Sequence, residues 1–225
     1  MSRCKIVAVT KPVIEDCETA EDFIAYAARV SNPTNQNNTE TAPKLLKYLA
    51  KHAHWSPFEM VHVVMEINTT RDIARQILRH RSFSFQEFSQ RYADVGELGD
   101  MFEHKETRRQ DLKNRQNSIS VEDIHLDKYW QDGQEAVIEV CNRIYKEALH
   151  SGIAKEQARA VLPEGLTRSR LYMSGTLRSW IHYCDLRMAN GTQKEHMDIA
   201  KECWEIILEE FPSLAEVLDN GVETG

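Results

Sequence analysis

The segment Thr70-Arg-Asp-Ile-Ala-Arg-Gln-Ile-Leu-Arg-His-Arg81 constrains this chain most, because one regular helix cannot satisfy both its apolar pattern and its charges. Each helical residue turns by about 100°. Ile73, Ala74, Ile77 and Leu78 then share one arc, which faces a core. Gln76, Arg79 and His80 share a neighbouring arc. A helix continued to Arg81 would put that residue in the apolar arc. A guanidinium cannot shed its proton, so burying it unpaired is very costly. Two outcomes stay open: the helix ends just before Arg81, or Arg81 points into an internal site that holds an anion. The plainer reading is a basic helix end, where cations favour the C-terminal dipole. Ser89-Gln90-Arg91-Tyr92 follows closely. Gln76, Arg79, Arg81, Ser89 and Arg91 offer many donors in a short span, and arginine grips phosphate oxygens in a two-pronged way. No Gly-rich phosphate loop or dinucleotide fingerprint occurs, so a nucleotide here is not expected to bind in the Rossmann manner.

The segment itself predicts a helix over 70–81, and around it the pattern predicts strands over 5–10 and Met60–Ile67. It predicts helices over 19–30, with Thr19 as N-cap, and over 43–53. Asn32 to Asn38 reads as loop, and Pro57 breaks the chain at His54–Phe58. Residues 82–92 are aromatic and polar without a clean period. Gly96 to about Asp127 is highly charged and reads as loop with short helix. A long helix is predicted from about Gln134 to His150, and a shorter one over Lys155–Leu162, stopped by Pro163. Residues 166–188 read as a strand and then a helix. Residues 193–210 form a last amphipathic helix, with Ile199, Cys203, Ile206 and Ile207 on one face. No repeat, linker or composition break divides the 225 residues, so one domain over 1–225 is expected.

A net charge of −7 argues against a non-specific duplex binder, which needs a broad basic face. Any anion must meet a local basic cluster. The run Ile6–Val9 is too short for a secretory core, and no stretch is long and apolar enough to cross a bilayer, so a cytoplasmic location is expected. Cys4, Cys17, Cys141, Cys184 and Cys203 are scattered, with no Cys-x-x-Cys pair. They read as small buried apolar residues, neither a disulfide framework nor a zinc site. The histidines lack metal-ligand spacing, so no metal is expected.

Arg79-His80-Arg81, seven further residues and then Ser89-x-Arg91-Tyr92 resemble the signature of the flavin-dependent thymidylate synthases. His54-Trp-Ser-Pro-Phe-Glu59 resembles the family's upstream segment, and Ala158-Arg-Ala-Val-Leu-Pro163 its Ala-Arg-x-x-Leu-Pro segment. Arg178-Ser179, His182 and Asp185-Leu-Arg187 resemble its C-terminal segment. The order matches from roughly residue 40 to 210. Three positions depart: Gln86 stands where Asn is common, Met60 where His is common, and Thr176 where some relatives carry Asn.

The resemblance implies a reaction that methylates dUMP to dTMP with FAD, NADPH and 5,10-methylenetetrahydrofolate. It implies FAD held by Ser56, Arg79, His80, Arg81, Glu87, Arg178 and His182. It implies dUMP held by Gln76, Arg79, Glu87, Ser89, Gln90, Arg91, Arg159 and Arg187, with Arg187 catalytic on the uracil ring. It also implies an α/β (α+β) fold, with a twisted, mainly antiparallel sheet flanked by helices. The assembly it implies is a homotetramer whose sites are shared between subunits. No cysteine lies in the Pro-Cys-His context of the classical, unrelated thymidylate synthases, which fits a mechanism without an enzyme thiol. Two other readings stay open here. A non-catalytic nucleotide or RNA binder could use the basic, aromatic stretch 79–92, although it would leave the Arg159 and Arg187 segments unexplained. A flavoprotein that oxidises NADPH would be indifferent to dUMP.

Overall fold

Alternation along Val61–Ile67 sets the centre of the fold. Val61, Val63, Met65 and Ile67 are fully buried, and their strand pairs on both sides. The computed structural model describes residues 2–218. It places β1 (Cys4–Val9), β2 (His62–Thr70), β3 (Ser84–Glu87) and β6 (Arg168–Thr176) in one antiparallel sheet of order β1-β2-β6-β3. Register pairs Met65 with Met173 and Ile67 with Leu171, all buried on one face. The other face is polar. There the Glu66 carboxylate accepts from Tyr172 Oη at 2.8 Å and pairs with Lys5 Nζ at 3.2 Å. A sheet with one apolar face needs a helical cover.

The cover comes from α1 (Ala20–Ala28), α2 (Ala42–Lys51), α3 (Arg71–Ile77), α6 (Leu177–Met188) and α7 (Lys194–Glu210), whose buried residues join the strands in one core. Thr19 caps α1 through a reciprocal box with Asp22, as its sequence predicts. Trp180 of α6 is fully buried and donates Nε1–H to the Val63 carbonyl at 3.1 Å. Cys203 of α7 lies 3.7 Å from Cys4 of β1, sulfur to sulfur. Four of the five cysteines are buried and all are free; Cys141 is half-buried. Among the described residues no helix is long and apolar enough to cross a membrane.

Several elements differ from the sequence pattern. Helix α3 stops at Ile77, and the chain then turns, which resolves the conflict at Arg81: that side chain is exposed. Strand β3 lies inside the stretch without a clean period. The charged 96–127 region contains a hairpin of β4 (Arg108–Gln110) and β5 (Ser118–Ser120). Helix α4 (Ile124–His150) starts ten residues before the predicted Gln134, where Asp123 caps the amides of His125 and Leu126. Gly133 weakens the helical signal there, by about 1 kcal/mol against Ala. The predicted helix over Lys155–Leu162 is α5 (Lys155–Ala158) continued by a 3-10 turn, Arg159–Val161.

Gly175 pairs with Val63 across β2 and β6. A Cβ there would sit 2.6 Å from Phe83 Cε1 and closer still to Cδ1. Phe83 cannot move away freely, because its ring meets Trp180 at 4.9 Å and Tyr183 at 5.9 Å between centroids. We therefore expect Gly175→Ala to cost about 1–3 kcal/mol of stability by overpacking. A thermal melt would show this as a drop of a few degrees, roughly 2–4 °C per kcal/mol. An unchanged midpoint would mean that Phe83 yields without cost.

Candidate active site

The chain leaving α3 carries His80 to Arg187, near the C-terminal end of α6. Arg187 Nε–H donates to His80 Nε2 at 2.9 Å. This bond needs a neutral imidazole with an open Nε2 lone pair. Burial, reinforced by the charges of Arg187 and Arg79, lowers the His80 pKa to about 4. Beyond this Nε contact, the terminal nitrogens of the Arg187 guanidinium have no hydrogen bond or ion pair among the described residues.

Behind them lies a buried polar chain that no sequence motif marked. His196 of α7 is fully buried, 3.1 Å from Tyr183 Oη through Nε2 and 3.4 Å from Gln76 Oε1 through Nδ1. Burial, with Arg187 and His80 nearby, lowers its pKa to about 3. Gln76 Nε2 donates to Gln193 Oε1 at 2.7 Å. His196 Nδ1–H facing Gln76 Oε1 leaves Nε2 to accept from Tyr183, so both ends of the Gln76 amide are fixed. Tyr183 stands four residues before Arg187 on α6, the one spacing that could have flagged it.

The flavin-side candidates sit elsewhere on α6. At about 100° per residue, Arg178 and His182 fall roughly 140–180° from Arg187. Arg178 forms an ion pair with Glu59 in the 3-10 turn Ser56–Met60, and Ser56 is exposed at the start of that turn. His182 meets Trp55 edge-on with centroids 4.9 Å apart. Burial, and then Arg178, lowers its pKa. Arg79 and Arg81 are exposed, with no carboxylate in ion-pair range among the described residues. Exposed guanidiniums of this kind grip phosphate oxygens in a two-pronged way.

A third group follows β3. Glu87 accepts from Ser169 Oγ at 2.8 Å and lies 3.7 Å from Arg71, so its carboxylate already has partners inside the chain. Gln90 is buried, and its Nε2 has no partner among the described residues. Arg91 and Arg159 converge on Glu156: Arg91 Nε pairs with its carboxylate and Arg159 Nε donates to its carbonyl, each at 3.3 Å. Ser89 is half-buried. His196 and Tyr183 link Gln76 to the His80–Arg187 pair, by hydrogen bonds on the Gln76 side and ring contacts on the His80 side, and Glu156 links Arg91 with Arg159. No hydrogen bond or ion pair links the two sets among the described residues.

Fold and site together define an α+β protein in which two exposed guanidiniums, Arg79 and Arg81, flank the His80 that Arg187 bonds. The family described as "Thymidylate synthase complementing protein" matches residues 12–213. "Probable flavin-dependent thymidylate synthase" of Paramecium bursaria Chlorella virus 1 is 53% identical over 215 residues, covering 96% of this chain and 98% of that protein. "Flavin-dependent thymidylate synthase" of Synechocystis sp. is 49% identical over 218 residues, with 96% and 98% covered. The chain belongs to the flavin-dependent thymidylate synthase family. A similar solved structure is the UMP/dUMP methylase PolB of Streptomyces cacaoi bound with 5-Br dUMP, with a TM-score of 0.78 and 25% identity over 96% of this chain and 94% of that one.

Proposed function

We infer that the protein methylates dUMP to dTMP in a flavin-dependent reaction, with NADPH as reductant and 5,10-methylenetetrahydrofolate as carbon donor. The observation that carries this reading is the Arg187–His80 hydrogen bond, which ties the C-terminal segment to the signature across 107 residues. In this reading Arg187 faces the uracil ring. Its terminal nitrogens favour negative charge developing on the pyrimidine, and His80 holds the guanidinium in place from behind. Gln76, Arg79, Glu87, Ser89, Gln90, Arg91 and Arg159 hold the nucleotide. Ser56, Arg79, His80, Arg81, Glu87, Arg178 and His182 hold FAD. When bound, reduced FAD supplies the hydride that completes the methyl group.

Two separate donor sets within one chain support a site shared between subunits of a homotetramer. One chain would give Gln76, Arg79 and Arg187, and another Ser89, Gln90, Arg91 and Arg159. We take residues 1–225 as one catalytic domain working in the cytoplasm. Ser89→Ala is expected to weaken dUMP binding about tenfold, the worth of one hydrogen bond to a charged group, without unfolding. Titration calorimetry with dUMP reads this, and an unchanged affinity would make Ser89 structural.

The deciding test supplies FAD, NADPH, methylene-tetrahydrofolate and dUMP tritiated at C5, and counts tritium released to water. Methylation must expel the C5 hydrogen. Release that needs both FAD and the folate establishes the reaction. No release from FAD-loaded protein would favour an NADPH oxidase.

A further inference from the structure

The β4–β5 hairpin and the start of α4 enclose an open cleft of about 500 Å³, which no assigned residue uses. A second cleft of about 370 Å³ adjoins it, and Arg108, Trp130 and Gln193 line both. Such volumes suit a drug-sized ligand or part of a cofactor. The walls are of two kinds. Leu126, Tyr129 and Trp130 present one edge of α4 at helical spacing, and Tyr129 and Trp130 stay 74% and 43% exposed. Opposite them the hairpin supplies Arg108, Gln110, Arg115 and Asn117.

Arg108 is the telling residue. Its side chain is only 10% exposed, and Nη2 pairs with Glu195. Its Nη1 is buried with no partner among the described residues. A buried guanidinium nitrogen without an acceptor is costly, and a ligand acceptor removes the cost. Arg115 is exposed and has no carboxylate in ion-pair range among the described residues. Glu106 lies 3.7 Å from Lys194, which also pairs with Asp198 at 2.8 Å, and Arg115 is the lining cation that no carboxylate pairs with among the described residues.

The hairpin holds its shape without a ligand. Gln110 Nε2 donates to the carbonyls of Asp111 and Asn117, each at 3.1 Å, and Asn117 Nδ2 donates to Asn190 Oδ1 at 2.9 Å. One wall also reaches the active site: Gln193 lines the cleft and accepts the hydrogen bond from Gln76.

We propose that this cleft binds a planar aromatic anion, with its ring stacked on Trp130 and Tyr129 and its carboxylate or phosphate on Arg108 and Arg115. The occupant is a co-substrate of the reaction, and that identification rests on the thymidylate synthase reading. Two co-substrates share this chemistry. A folate carries a glutamate carboxylate beyond its aromatic rings, and NADPH carries a phosphate beside its adenine.

The test uses FAD-loaded enzyme, either unchanged or carrying Trp130→Leu or Arg115→Gln, both at accessible positions outside the catalytic set. Equilibrium dialysis measures tetrahydrofolate, dUMP and NADP+, the unreactive oxidised form standing in for NADPH, separately, so it needs no turnover. Both variants should weaken one aromatic anion about tenfold and leave dUMP unchanged. Loss confined to tetrahydrofolate identifies the folate tail, and loss confined to NADP+ identifies the phosphorylated dinucleotide. Unchanged affinity for both overturns the proposal. So does a change of oligomeric mass in gel filtration, which would mean that a second copy of the chain fills the cleft. Failure of the reaction itself is a separate outcome: the unchanged enzyme then releases no tritium, whatever the dialysis shows.

Discussion

Arg187→Ala is expected to fold, to keep FAD and to lose dTMP formation by about 10²–10³-fold in kcat, the usual cost of removing one fixed donor from developing charge. Retention of FAD follows from placement. Arg178 and His182 lie on a different side of α6, and their contacts run to Glu59 and Trp55, not to Arg187. Arg187→Lys should recover little. A lysine carries the charge but lacks the planar fork that donates to His80 Nε2 while leaving two nitrogens free. Tritium release read beside flavin absorbance separates the two losses. Near-normal turnover in the alanine variant would remove Arg187 from the catalytic role, and loss of flavin would make it a structural residue.

The protein should also lose stability between pH 6.5 and 4.5, through two histidines that the fold holds neutral. An unfolded histidine takes its proton near pH 6.5. In the fold, burial and nearby cations hold His80 at about 4 and His196 at about 3. The unfolded chain therefore binds more protons in this window. The stability tied to both neutral histidines is whole above pH 6.5, and it drains as pH falls towards 4 and 3. The two together amount to a few kcal/mol at pH 4.5, at about 1.4 kcal/mol per unit, with the half-buried His80 giving the smaller share. The carboxyls of Glu66, Glu164 and Glu195 act lower still. Burial pushes them up, but hydrogen bonds from Tyr172, Arg75 and Arg108 outweigh it and hold them below their usual range. His196→Gln should flatten the profile by more than half. Urea midpoints taken across pH 7.5 to 4.5 for both proteins check this, and parallel curves would show that His196 carries no such linkage.

Elements with strong local signals were legible from residues alone. Thr19 and Asp22 announce α1, and the valines of β2 announce a strand. Strand β3 was not legible, because Ser-Phe-Gln-Glu is extended only through pairing with β6. The hairpin strands are three residues each and highly polar, so they carry no apolar alternation to detect. The wheel correctly set a choice at Arg81, and the structure resolves it by ending the helix early. Of the site, the signature and its distant partners were visible as a family pattern. Tyr183 and His196 were not, since a buried histidine on a helix face looks the same whether it touches leucine or Gln76.

Helix α6 buries Leu177, Trp180, Ile181 and Cys184 in the core. It turns Arg178 and His182 one way, and Tyr183 with Arg187 another. Little of its circumference is left to drift. A one-residue deletion upstream would turn every later side chain by about 100°. Such a deletion would leave the helix intact as a helix and uncouple the two halves of the chemistry it spaces.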